Sequence, residues 1–196
     1  KGAAAELIAS TDFDTYLMVV NAGDYGSAAV ASDGALDILI GAATEEVLAE
    51  NLLIGYAGNA LNATGGKVWY FPIYIPAGSR LSARAAGLRL STAFRVRIFL
   101  YGGHGIPPFK VGGKITTYGM GTIPNGTAVT PGASGAEGAW TQIVASTSED
   151  HFAFSPSLQV TNDATMNLRN LFTDLGVGAA PEEEFMQSVV FASESN

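Results

Sequence analysis

Apolar and polar residues alternate with a period of two through much of residues 1–103, the signature of strands that bury one face. Residues 7–11 and 15–21 (TYLMVVN) are rich in β-branched and aromatic residues and read as two strands separated by an Asp12-Phe13-Asp14 turn. In ALDILIG, Leu36, Ile38 and Ile40 alternate with Asp37 and Leu39, so a third strand is expected there. Thr44-Glu45-Glu46 has the chemistry of a helix start, but the stretch is too short to stand alone as a helix. It reads instead as a turn feeding the strand NLLIGY, residues 51–56. The strongest β signal is KVWYFPIYIPAGSRLSARA, residues 67–85. One face of it carries Val68, Tyr70, Pro72 and Tyr74, the other Trp69, Phe71, Ile73 and Ile75. Pro72 cannot donate to a ladder, which predicts an edge strand or a bulge. Pro76-Ala77-Gly78-Ser79 predicts a tight turn with Gly78 at positive φ. Beyond it Arg80, Ser82 and Arg84 alternate with Leu81, Ala83 and Ala85, and Arg95 and Arg97 alternate with Val96, Ile98 and Leu100. The expectation is two neighbouring strands that turn arginines outward over a covered apolar face.

The pattern is written twice. LIASTDFDTYLM (residues 7–18) lies over IVASTSEDHFAF (143–154) at an offset of 136, matching Ala-Ser-Thr and pairing Asp14 with Asp150. DILIGAATEEVLAENLLI (37–54) lies over DLGVGAAPEEEFMQSVVF (174–191) at an offset of 137, matching Gly-Ala-Ala and Glu45-Glu46 with Glu182-Glu183. Two collinear blocks at nearly one offset indicate an internal repeat. Between the copies, residues 104–139 are dense in Gly-Gly, Pro-Pro and Asn-Gly punctuation and read as a linker enclosing one arm-like hairpin around KITTY. The organisation expected is therefore a full β-sandwich over 1–103, a linker over 104–139, and a partial second copy over 140–196 that lacks counterparts of the basic strands. Because residue 1 is Lys, the chain is expected to be processed or to begin inside a longer reading frame.

Composition supports a packed β protein. Of 196 residues, 47% are hydrophobic and only 14% charged, with 24 glycines and no cysteine, so a disulfide or thiolate metal site is excluded. No apolar run approaches the ~20 residues of a membrane helix. Net charge is −8 but divided: no acid falls between Glu50 and Glu137, an interval holding eight Lys and Arg, while all 18 acids lie outside it. Such segregation implies that the acidic and basic parts face each other within or between subunits.

Catalytic patterns are lacking. His104 and His151 have no accompanying nucleophile or carboxylate spacing, and no Gly-x-Ser-x-Gly, zincin or P-loop motif occurs. Glu182, Glu183 and Glu184, like Glu45 and Glu46, are adjacent acids that read as a solvated loop tip, whereas a glycosidase dyad needs a set separation across a cleft. Asp12 and Asp14 offer calcium too few oxygens. The triplets starting at Asn62 and Asn125 carry no weight as glycosylation sites in so Asn- and Thr-rich a chain. The arginine face invites nucleic acid, but overall acidity opposes it. Neither metal nor cofactor is expected, and the chain reads as non-enzymatic.

The stretches WTQIVAST, DLGVGAAPEEE, YFPIYIPAGSRLSARA and RVRIFLYGG together resemble a repeat module of virion structural proteins of tailed bacteriophages. In that module a Trp-Thr-x-Ile strand leads to a Gly-Val-Gly-Ala-Ala turn and then to an Ile-Pro-Ala-Gly-[Ser/Thr]-Arg hairpin. The first copy has the last two elements but Ala5-Glu6-Leu7-Ile8 in place of the Trp opening; the second has Trp140 and the Gly turn but no hairpin. The resemblance implies an all-β, antiparallel, jelly-roll-type sandwich with an incomplete second repeat, and helix content below about 10%. It also implies a capsid-decoration, fibre-base or tail component of an extracellular particle, oligomeric and bound to other virion proteins. Arg80, Arg84, Arg95 and Arg97 are then candidate assembly partners for Glu182, Glu183 and Glu184. The alternative is a secreted or virion-borne carbohydrate- or receptor-binding module, with a host-surface glycan as its partner and Trp69, Tyr70 and Tyr74 as its ligand face.

Overall fold

The computed structural model describes residues 1–24, 32–56, 67–87, 94–103, 110–120, 126–130, 132–133, 136, 138–157, 169–178 and 186–193. Among these residues the chain is all-β, with no helix. Nine strands form: β1 (Ala5–Ile8), β2 (Thr15–Asp24), β3 (Ser32–Ile40), β4 (Glu46–Tyr56), β5 (Lys67–Phe71), β6 (Leu81–Gly87), β7 (Phe94–Gly102), β8 (Arg169–Leu175) and β9 (Met186–Ser193). They make two antiparallel sheets, β1-β6-β3-β4 and β5-β2-β7, and a separate antiparallel pair, β8-β9.

Alternation sets which residues meet. Met18, Val20 and Ala22 of β2 and Trp69 and Phe71 of β5 join Leu36, Ile38, Leu52, Ile54 and Leu81 of the four-stranded sheet in one buried cluster. Each is the apolar member of an every-other-residue pattern, so both sheets turn their wet faces outward. The long pairings are nested. β2 pairs with β7, and β3 with β6 inside that interval, the two pairs landing in different sheets.

Several expectations are corrected. The stretch 67–75 is not one strand: Pro72 ends β5, an edge strand, and the chain continues through single bridges from Ile73 to Gly112 and from Ile75 to Thr15. A proline there leaves no N–H for a ladder, so the edge position follows. The KITTY segment, residues 114–118, holds no strand, and the antiparallel bridge beside it joins Met120 to Gly126. It runs without strand partners past β4, where the Thr117 hydroxyl donates to the Glu50 carbonyl at 2.5 Å. The Trp-Thr-x-Ile opening strand that the resemblance implies in WTQIVAST, residues 140–147, is absent too, since no strand occurs anywhere in 140–157. The arginine strands are not neighbours: β6 belongs to the four-stranded sheet and β7 to the three-stranded one.

Residues 169–193, which hold the second of the two sequence matches, behave differently. Adding 137 to Ser32↔Tyr56 gives Arg169↔Ser193, and Leu36↔Leu52 likewise gives Thr173↔Val189. After the same irregularity, Ile38↔Ala49 becomes Leu175↔Met186. Gly41 and Gly178, also 137 apart, both hold positive φ, at 111° and 128°. The β3-β4 and β8-β9 hairpins therefore share register and bulge.

Candidate functional site

Two surfaces concentrate the side chains singled out by the sequence. The first is the segment joining β5 to β6 and the strand that follows, gripped by residues from three directions. Pro76-Ala77-Gly78-Ser79 closes a tight turn, with the Ser79 N–H on the Pro76 carbonyl at 3.4 Å and Gly78 at φ 80°. A positive φ at the third position is what a type II turn demands, so glycine there has a local cause. Thr11 is buried against this turn. Its carbonyl accepts the Gly78 N–H at 2.7 Å, and its hydroxyl accepts the Ser79 N–H and donates to the Pro76 carbonyl at 2.8 Å. Asp14 accepts the Ala77 N–H at 2.9 Å, so this carboxylate caps a turn.

Beyond the turn, Arg80 donates from Nε to Glu6 at 2.9 Å and from Nη1 to Glu45 at 2.6 Å and to the Gly41 carbonyl at 3.2 Å. Hydrogen bonds from Ser82 and then Arg80 hold the Glu45 carboxyl below its ordinary range. Arg84 donates to Asp37 Oδ2 at 2.8 Å, directly across the β3-β6 pairing. Asp37 is fully buried. Its other oxygen accepts the Asn51 N–H at 2.8 Å and is paired with Lys1. Burial pushes this carboxyl up, but the bonds from Lys1, Asn51 and Arg84 outweigh it and leave it below the ordinary carboxylate range. Arg80 and Arg84 thus serve acids of the first copy, Glu6, Glu45 and Asp37, within the chain. Glu182, Glu183 and Glu184, proposed as their partners, lie outside the described residues, as does His104.

The second surface is the outer face of β5-β2-β7. Tyr70 is 62% exposed, and Phe99 and Tyr101 of β7 stand on the same face, with Val19 and Leu17 between them. Tyr74 stacks on Tyr16 with ring centroids 6.0 Å apart, and partial burial together with the Asp14 carboxylate raises its phenol. Arg95 and Arg97 are exposed at one end of the face. A shallow depression of about 440 Å³ is lined by Leu17, Tyr70, Pro72, Lys110 and Phe152, with the Lys110 ammonium 5.5 Å from the Phe152 ring centre. Trp69 corrects the expected ligand face. It is 3% exposed, its ring in the core, because it sits one residue out of phase with Tyr70. Phe99, Tyr101 and Tyr16 were not anticipated. The alternation that sets Arg95 and Arg97 outward continues to Phe99 and Tyr101, so the signal for those two is present in RVRIFLY.

Among the described residues no reactive constellation accompanies either surface. The His151 ring meets the Tyr118 hydroxyl at 3.0 Å beside the Lys114–Glu149 pair at 2.5 Å, both exposed. No group of three metal-ligating side chains occurs among the described residues. Nor is any helix among them long and apolar enough to cross a membrane. Comparison with protein-family models, curated proteins and solved structures finds no match.

Proposed function

We propose that this chain is a non-enzymatic structural protein of a tailed-phage virion, a capsid-decoration, fibre-base or tail component that assembles with copies of itself and with other virion proteins. The observation that carries the reading is the surface of residues 140–157. Trp140 is 54% exposed, and Ile143, Val144, Phe152 and Phe154 are exposed with it. The counterparts of Ile143, Val144 and Phe154 in the first repeat block, Leu7, Ile8 and Met18, pack in or against the core. Large apolar side chains gathered on one surface segment fit a protein whose surface is completed by a neighbour. The motifs shared with virion repeat modules supply the setting, and the nested β2-β7 and β3-β6 pairings support a sandwich of jelly-roll type carrying an internal repeat. Native mass spectrometry tests the assembly. A multimer that dissociates on Trp140→Ser with Phe152→Ser supports it, and a stable monomer at all concentrations refutes it.

The outer face of β5-β2-β7 favours a second reading, a carbohydrate- or receptor-binding module. Exposed Tyr70, Phe99 and Tyr101 beside arginines make a platform on which sugar rings stack. A glycan-array signal lost in Tyr70→Ala would establish this reading; an array with no signal removes it.

A further inference from the structure

The four-stranded and three-stranded sheets each end in two edge strands, and three of these four edges are blunted. β1 has four residues and a register shift between Glu6 and Ile8. β5 has five and stops at Pro72, beyond which Gly112 accepts the Tyr74 N–H at 3.0 Å and donates to the Pro72 carbonyl at 2.9 Å. β4 is crossed by Thr117, whose hydroxyl takes the Glu50 carbonyl, and Gly126 lies against the Leu53 side chain.

β7 is the fourth edge. It runs nine residues without a proline, and from Leu17 to Asp24 its pairing with β2 stays in step. Among the described strands β2 is its one neighbour. Its inward row is incompletely covered. Val96, Ile98 and Leu100 are half-buried, whereas Ala22, Val20 and Met18, paired with them on β2, are sealed. A cavity of about 310 Å³ lies beside Val96, lined from the four-stranded sheet by Leu36, Ala83 and Ala85 and by Leu7.

The strand is also complementary to itself. Turned about a two-fold axis through Ile98, its midpoint, β7 pairs antiparallel along its whole length. On the outer face Arg97 then stands opposite Phe99, and Arg95 opposite Tyr101, both aromatic rings being exposed. A guanidinium beside an aromatic ring is attractive. On the inner face Val96 stands opposite Leu100, and Ile98 opposite itself. A slip of two residues in either direction shortens the ladder. One of the two slips sets Arg97 against Arg97, and like charges directly opposite are destabilising.

We propose that β7 is a dimerisation edge, at which a second molecule of this protein adds its own β7 antiparallel and joins two three-stranded sheets into one. Main-chain hydrogen bonds give the affinity and the arginine–aromatic pairs set the register. Leu100 of the second molecule comes to lie beside Val96, next to the cavity. The inference deepens the assembly reading and rests on it for the association of copies of the chain. Residues 140–157 then join such dimers into the multimer proposed above.

The test uses the whole 196-residue chain. Phe99→Arg changes an exposed side chain and sets arginines against each other across the axis. It should weaken dimerisation about tenfold in analytical ultracentrifugation, with the far-UV spectrum unchanged. Adding Arg97→Glu to it restores opposite charges and should recover the dimer. The slipped registers give no such recovery, since each then sets like charges opposite. Amide exchange in residues 94–102 should slow as protein concentration rises. Dimers left intact by Phe99→Arg overturn the proposal. So does a folded double variant that stays monomeric, or concentration-dependent protection confined to β8-β9. Trp140→Ser with Phe152→Ser should leave dimers; monomers would overturn this inference and leave the assembly reading standing. If those two serines change nothing while Phe99→Arg splits the assembly, the role given to residues 140–157 is lost and this inference stands.

Discussion

Asp37 shows how much one side chain decides. A carboxylate without solvent exposure holds two cations and a backbone N–H, and its pKa is depressed in the folded state. A depressed folded pKa means stabilisation that is present above the unfolded value and is lost as pH falls through the folded one. Asp37→Asn should therefore cost about 2 kcal/mol near neutrality, less than a fully buried pair because Arg84 reaches solvent. The gap from wild type should narrow below about pH 4. Urea unfolding across pH 2–7 measures this; a gap that stays constant or widens in acid contradicts the assignment. Gly78 gives a second test. Nothing lies within 4 Å of where its Cβ would be, so its requirement is conformational. Gly78→Val should cost about 1–2 kcal/mol, whereas Gly78→Asn, which tolerates positive φ, should cost little. Equal thermal midpoints for the two variants would show that the turn is not held as described.

Within single elements, face assignment carries the consequences. Trp69 and Tyr70 are neighbours in β5, one in the core and one in solvent. Trp69→Ala should remove about 3–5 kcal/mol by opening a cavity, while Tyr70→Ala should change stability by no more than about 0.5 kcal/mol. Reversed effects in thermal melts would place β5 one residue out of register. Bulges matter equally at this scale. The irregularity that separates Leu36 from Ile38 in the β3-β4 pairing recurs between Thr173 and Leu175. A bulge re-aims the strand after it, so keeping it keeps Asp174 at the place of Asp37.

Across the whole molecule, the buried core of the first seven strands includes no residue of 140–157. Side-chain contacts that tie this segment to the rest of the described chain include Lys114 to Glu149, Tyr118 to His151, Lys110 to Phe152 and Lys67 to Ser157, and the first two are exposed. Exposed pairs of this kind contribute about 0–1 kcal/mol each. Deleting residues 140–196 should therefore leave a cooperatively folded protein with a thermal midpoint lowered by only a few degrees. The multimer proposed above should be absent from native mass spectra of the same deletion variant. Collapse of the truncated chain would show that the second copy is part of the first unit's stability; retention of the multimer would place the interface elsewhere.

The sequence by itself determined the strand-forming stretches of residues 1–103, the turn at Gly78 and the edge character of Pro72. These depend on local sterics and on a period of two, which each residue carries with its neighbours. It also placed Tyr70 and Tyr74 opposite Trp69, although alternation alone did not say which side would be wet. Only the tertiary structure decided that, because burial is a property of what packs on a face. It also separated β6 from β7, giving Arg80 and Arg84 to the acids of the first copy and leaving Arg95 and Arg97 on the other sheet. Pairing order is set by which distant strands meet, and no local pattern encodes it. For the same reason the strand expected at the opening of the second copy did not form. A β-prone stretch becomes a strand when a partner satisfies its backbone, and residues 140–157 have no ladder to join.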